Sequence, residues 1–263
     1  MAKIRAILLT AMVAAGLFLL KDPARGHGAH PELDERSVGV DEKLGARIPA
    51  DTAFVDESGA RIAIAEFADR PTLILPVYYR CKHSCGMMLG NLASILADVP
   101  LAPGKDYRTL ALSIDSEDDP AVARETKQNY FKVIKRGFPG ESWKFLTGDA
   151  ESIRRFTESA GFRFKKIGSH DFAHPNVMIV VGRGGKIIRY LYGPTFLPFD
   201  IGMALTEAAK GTPSLSVRKL ISYCFNYDPE RKTYTFTAVR IIALAFMAIL
   251  ALSLFFIIRK KKA

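Results

Sequence analysis

The sequence predicts an α/β protein: helices sandwiching a central mixed sheet, plus one C-terminal transmembrane helix. Three observations carry that prediction. Largely apolar runs such as "PTLILPVYY" (71–79) and "YRTLALSI" (107–114) read as strands covered on both faces. Helix-patterned segments alternate with them, as in layered α/β domains. The run "IIALAFMAILALSLFFII" (241–258) has 18 residues without a charge, between Arg240 and Arg259, Lys260, Lys261 and Lys262. Its length and flanks suit a single span with the basic end in the cytoplasm.

The elements follow in order. "IRAILLTAMVAAGLFLL" (4–20) holds an uncharged stretch of 15 residues, short for a span and right for the core of a signal peptide. Ala24 and Gly26 supply small residues for cleavage, so residues 1–26 read as a signal peptide or an N-terminal anchor. Residues 27–51 are polar and irregular and read as a linker. "FVDESGARIAIAEF" gives two short strands around a Ser-Gly turn. After the strand at 71–79, "GMMLGNLASILADV" has helical spacing at Met88, Leu92, Ile95 and Leu96. The strand at 107–114 is followed by "DSEDDPAVARETKQNYFKVI", whose acidic start and Pro120 open a helix.

"WKFLT" (143–147) is strand-like, and "DAESIRRFTESAG" is a capped helix ending at Gly161. Three more strands are expected at "FRFKKI" (162–167), "NVMIVV" (176–181) and "KIIRYLY" (186–192), the last two joined as a hairpin by "GRGG". "LPFDIGMALTEAAK" (197–210) closes the domain, which spans 52–210. Residues 211–239 form a membrane-proximal segment, 240–258 the span, and 259–263 a basic tail. The tyrosines, phenylalanines and Asp-Pro of the membrane-proximal segment predict order there.

Composition bounds the function. Hydrophobic residues make up 49% and charged residues 24%, as in a globular protein. The net charge of +10 owes part of its excess to the terminal "RKKK". With no finger, helix-turn-helix or RNP-like pattern, nucleic-acid binding is not supported. If the segment between the two apolar runs is exported, its thiols meet an oxidising compartment.

Chemistry concentrates at "YYRCKHSCGMML" (78–89). The chain has three cysteines, and Cys81 and Cys85 stand four positions apart between a strand and a helix. A helix N-terminus there favours thiolate. The pair could close a disulfide or chelate a soft ion, Cu(I) before Zn(II). Of the five histidines, His27 and His30 lie in the irregular N-terminal stretch and His83 lies between the cysteines. His170 and His174 precede a core strand. His174 is the better third ligand, because its strand would neighbour the cysteine strand, and two thiolates with a neutral imidazole suit Cu(I). Asp171 is a candidate to orient that imidazole. Cys224 is left over, with burial beside Phe225 and Tyr227 expected.

With these landmarks in order, the chain resembles the Sco/SenC family of thioredoxin-like copper proteins, over roughly 52–195. "DESGARIAIAEF" is similar to the family's first hairpin and "LILPVYYRCKHSC" to its strand plus C-x-x-x-C. "LALSIDSEDDP" resembles a family segment that places Asp115 and Asp118 at familiar positions. "DFAHPNVMIVVGRGGKIIRYLYG" resembles the segment that carries the family's histidine ligand, in register with His174. "CFNYDPERKTYTF" is similar to the extension of C-terminally anchored bacterial members.

The resemblance implies a thioredoxin-like domain binding one copper, Cu(I), through Cys81, Cys85 and His174. It implies a metallochaperone that delivers copper to, or maintains the thiols of, the binuclear copper site in subunit II of a haem-copper (cytochrome c) oxidase, with thiol–disulfide reductase activity left open. Other copper chaperones or thioredoxin-like reductants are further expected partners. The expected location is the inner membrane of a bacterium, with the domain in the periplasm and the C-terminal end cytoplasmic. The alternative is a membrane-tethered thiol–disulfide oxidoreductase using the redox pair Cys81 and Cys85. The chain departs from the family pattern at Gly86, where proline is usual, and at Pro175, where serine is common.

Overall fold

The structure, a computed structural model, describes residues 37–81, 84–134, 138–214, 226–228, 233–235 and 246. The expected signal segment, most of the expected span, His27, His30, His83 and Cys224 lie outside the described residues. Among the described residues no helix is long and apolar enough to cross a membrane.

The strands in chain order are β1 (Gly39–Val40), β2 (Ala53–Asp56), β3 (Arg61–Ala63), β4 (Thr72–Val77), β5 (Arg108–Ser113), β6 (Trp143–Thr147), β7 (Phe162–Arg163), β8 (Lys165–Lys166), β9 (Phe172–Ala173), β10 (Val177–Gly182) and β11 (Lys186–Tyr192). The helices are α1 (Ile64–Phe67), α2 (Ser84–Ile95), α3 (Pro120–Phe131), α4 (Ala150–Ser159) and α5 (Pro198–Lys210). Seven strands form one mixed sheet in the order β11-β10-β4-β5-β6-β2-β3. The central β4, β5 and β6 are parallel, and the flanking pairs are antiparallel. This is the expected mixed α/β, thioredoxin-like architecture. Every residue of β4 and β10 is buried, which requires cover on both faces and explains their largely apolar sequence.

Local signals behaved as chemistry requires. Asp119 caps α3 by accepting from the Val122 N–H at 2.9 Å, with Pro120 in the first turn. Asp149 caps α4 by accepting from Ser152 N–H at 2.6 Å. Gly161, two residues beyond the end of α4, has a φ of +61°. Its carbonyl accepts from Asp41 N–H at 2.8 Å, and a Cβ there would run into the Asp41 carbonyl oxygen. Gly161→Ala should therefore cost at least about 2 kcal/mol, from left-handed strain plus displacement of the Asp41 strand. Urea unfolding measures this, and a loss below about 0.5 kcal/mol contradicts the contact.

Three local readings differ. "IAEF" forms the single helical turn α1 instead of the end of a strand. "FRFKKI" is not one strand. β7 pairs with β1 and β8 pairs with β9, both outside the main sheet. The stretch before 52 is not irregular throughout, since β1 lies there and Ile48 is 2% exposed in the core. Nearer the C-terminus, Asn226–Asp228 pairs antiparallel with Thr233–Thr235.

Candidate metal centre

The site grows from the carboxyl end of β4, a common place for function in open α/β sheets. Beyond Val77 the chain runs through Tyr78, Tyr79 and Arg80 to Cys81, whose N–H turns back to the Tyr78 carbonyl at 3.3 Å. α2 then starts at Ser84, placing Cys85 in its first turn. Asp118, beyond β5, steadies this approach: its Oδ2 accepts from Tyr79 N–H at 2.9 Å and from the Ser113 hydroxyl at 2.7 Å. Burial raises the Asp118 pKa despite those bonds. Its Oδ1 has no hydrogen-bond partner among the described residues, and Arg80 Nε stands 3.7 Å away.

His174 arrives from the other side of β4. β10 pairs antiparallel with β4, Ile179 opposite Ile74. Extending that register backwards sets residue 174 beside the Tyr78–Tyr79 segment. Its Nδ1 lies 3.1 Å from the Pro175 carbonyl oxygen. A carbonyl only accepts, so Nδ1 carries the proton and Nε2 presents its lone pair. That Nε2 is 3.2 Å from Cys85 Sγ. Tyr78 meets the imidazole edge-on at 5.7 Å between centroids, and Phe162 lies against it at 6.2 Å. The expected role of Asp171 is corrected. Asp171 is exposed, its carbonyl closes a turn by accepting from Ile167 and Gly168, and the Pro175 carbonyl holds the imidazole.

Burial lowers the His174 pKa from 6.5, while the Pro175 carbonyl and Cys81 work the other way. The unfolded chain thus binds a proton that the folded chain resists. The stability from the neutral imidazole is complete above about pH 6.5 and is lost as pH falls from there through the depressed folded value. Metal-free chain unfolded in urea at steps between about pH 7.5 and 5 should show this decline. His174→Gln should remove that component, and an unchanged profile in the variant contradicts the assignment.

The thiols are unequal. Cys85 is 1% exposed, and Cys81 is half-buried. Hydrogen bonding to Cys81, followed by burial, pushes the Cys85 thiol pKa up. The expected thiolate-favouring effect of the helix N-terminus is therefore overridden at Cys85, because a desolvated thiol beside another sulfur resists ionising. Cys81 also hydrogen-bonds the Tyr78 side chain. No disulfide joins Cys81 and Cys85.

The donor set fits a soft ion, but the cage is not closed. Among the described residues no three His, Cys, Asp or Glu side chains form a ready metal cluster. Cys85 and His174 are the preformed pair, with Cys81 in contact with Cys85. Metal–sulfur and metal–imidazole bonds of about 2.3 and 2.0 Å need their donor atoms roughly 3.5 Å apart. A few tenths of an ångström of opening would admit an ion.

His170 does not approach the sulfurs. Its Nδ1 is 2.9 Å from Asp115 Oδ2. Gly86 lies under Tyr130 of α3, whose hydroxyl oxygen an added Cβ would meet at 3.4 Å. Sequence reasoning missed the aromatic walls, Tyr78 and Phe162, and the Pro175 carbonyl. Tyr78 was within reach of local reading, three residues before Cys81. Nothing near Phe162 in the sequence signals its neighbour.

A model of the SCO1/SenC family matches residues 40–200, more than half of the chain. Among solved structures, a protein of Aquifex aeolicus VF5 with a provisional electron-transfer assignment is 25% identical, with a TM-score of 0.58 over 64% of this chain and 95% of that one. BsSco, described as a Sco-family cytochrome c oxidase assembly protein with a disulfide switch, is 18% identical, with a TM-score of 0.50 over 65% of this chain and 98% of that one. Arabidopsis thaliana ScoI, solved with copper bound, is 17% identical, with a TM-score of 0.50 over 60% of this chain and 96% of that one. The last two likenesses concern the fold. The curated proteins contain no match.

Proposed function

The chain belongs to the SCO1/SenC family, and from that premise we propose that it is a copper-binding assembly factor for a haem-copper oxidase. Copper is its cargo, held as Cu(I) by Cys81, Cys85 and His174 and released to the binuclear site of oxidase subunit II. The observation that supports this most is the Cys85–His174 pair: a buried thiol 3.2 Å from a bare imidazole nitrogen whose opposite nitrogen is tied to a carbonyl. Two sulfurs and one neutral imidazole match a soft monovalent ion. Loading displaces the Cys85 proton, since its raised pKa keeps it protonated at neutral pH. In this reading residues 240–258 anchor the chain in a bacterial inner membrane, with the domain in the periplasm.

The test is an anaerobic Cu(I) titration of the full chain in detergent against a competing chelator. Uptake of about one equivalent, with proton release, is expected for this ligand set. Absence of uptake by the reduced chain overturns the proposal.

A second reading rests on the contact between the two thiols. Cys81 and Cys85 would pass an electron pair and their two protons to a partner's disulfide, ending as a disulfide themselves. Copper-free turnover of a protein disulfide that survives His174→Ala would favour this reading over metal delivery.

A further inference from the structure

The ribbon formed by β8 and β9 is small. Two residues pair with two, Lys165 with Ala173 and Lys166 with Phe172, outside the main sheet. A ribbon of that size does not hold itself together in water. It ends one residue before His174, so whatever fastens it also limits where His174 can sit.

Its apolar fastening is Phe172, which packs on Tyr78 at 5.3 Å and on Phe164 at 5.8 Å. Its polar fastenings are unequal. Lys166 Nζ lies 2.6 Å from Glu117 Oε1, but both side chains are about half exposed, at 46% and 52%, and exposed pairs contribute little. The turn of the ribbon carries His170. Its Nδ1 is 2.9 Å from Oδ2 of Asp115, a carboxylate 1% exposed. A buried carboxylate needs its lone pairs answered. Asp115 Oδ1 accepts from Glu117 N–H at 3.0 Å, and Oδ2 takes the imidazole N–H.

The His170 ring also meets the segment that leads to the cysteines. Arg80, which directly precedes Cys81, brings Nη1 to 3.2 Å from Nδ1 and 3.5 Å from Nε2. Glu117 Oε2 lies 3.6 Å from Nε2. His170 therefore joins three segments: the ribbon, the loop after β5 and the approach to Cys81. The copper reading gives it no part.

We propose that His170 is a positioning residue: its hydrogen bond to the buried Asp115 clasps the β8–β9 ribbon against the cysteine loop and so fixes where His174 points Nε2. His170 acts through His174 and is not a ligand. The consequence for copper affinity rests on the reading of His174 as a ligand, whereas the clasp itself does not.

The test uses the full chain in detergent, reduced and metal-free, with ¹⁵N-labelled histidine. His170→Ala should shift or broaden the His174 imidazole signals. It should speed amide exchange at 172–174 by about tenfold while the core amides and the melting temperature hold. His170→Gln, whose amide can still donate to Asp115, should restore both readouts. Asp115→Asn breaks the clasp from the other side and should reproduce the local effect. In a Cu(I) titration, His170→Ala should cost about tenfold in affinity and cost nothing further in a His174→Ala background. Unchanged His174 signals in His170→Ala overturn the clasp. So does a uniform loss of protection throughout the core, and so does failure of His170→Gln to rescue. If the metal-free readouts behave as expected and the unsubstituted chain takes up no Cu(I), the clasp stands and the copper reading falls.

Discussion

His174→Ala is expected to weaken Cu(I) binding by at least about a hundredfold, because losing residues that merely support a ligand already costs about 10–100-fold. The effect is large because His174 is prepared in advance. Its proton is fixed on Nδ1 by the Pro175 carbonyl, its Nε2 lies 3.2 Å from Cys85 Sγ, and its ring is held between Tyr78 and Phe162. Burial keeps it neutral, so protons do not compete at pH 7. On the proposed ligand set, alanine there leaves the ion two sulfurs and removes its third donor. Chelator competition under anaerobic conditions measures the change, with circular dichroism to show that the variant is folded. An affinity within about threefold of the unsubstituted chain removes His174 from the ligand set.

Trp143→Ala is expected to cost about 4 kcal/mol of stability, a large share of the roughly 5–15 kcal/mol that such a domain holds. Trp143 begins β6 and is fully buried. Its ring lies 5.0 Å from Phe145 and 6.0 Å from Phe131 of α3, so it joins that helix to the sheet. Removing it leaves a cavity between β6 and α3 that both would have to collapse to fill. Trp143 Nε1 has no hydrogen-bond partner among the described residues. Trp143→Phe deletes that unanswered donor and keeps most of the volume, so it should cost less than about 1.5 kcal/mol. Urea unfolding followed by circular dichroism separates the two variants, since this is the chain's one tryptophan and its fluorescence is lost in both. Equal costs for alanine and phenylalanine would mean that packing volume is not what Trp143 supplies.

The fold was legible where a local rule has a single outcome. Asp119 with Pro120, and Asp149, started helices because their side chains answer open N–H groups. The largely apolar β4 and β10 read as short strands with two covered faces. Legibility failed where pairing decides. "FRFKKI" has strand character along its length, yet it is divided between β1 and β9 because those partners lie in different places. The irregular stretch before residue 52 gained β1 and sent Ile48 into the core, which no periodicity announced.

By itself the sequence determined the architecture, and it determined that two thiols stand four positions apart where a central strand gives way to a helix. Both follow from rules that act over a few residues: apolar runs, caps, and the spacing of Cys81 and Cys85. Tertiary structure decided the rest of the site. It brought His174 to Cys85 through the antiparallel register of β10 on β4, chose the Pro175 carbonyl over Asp171 as the imidazole's partner, and sent His170 to Asp115. It also raised the Cys85 pKa where a helix N-terminus alone would favour thiolate. The physical reason is common to all four. Hydrogen-bond choice and desolvation depend on what packs around a group, and that is set by contacts between segments far apart in the chain.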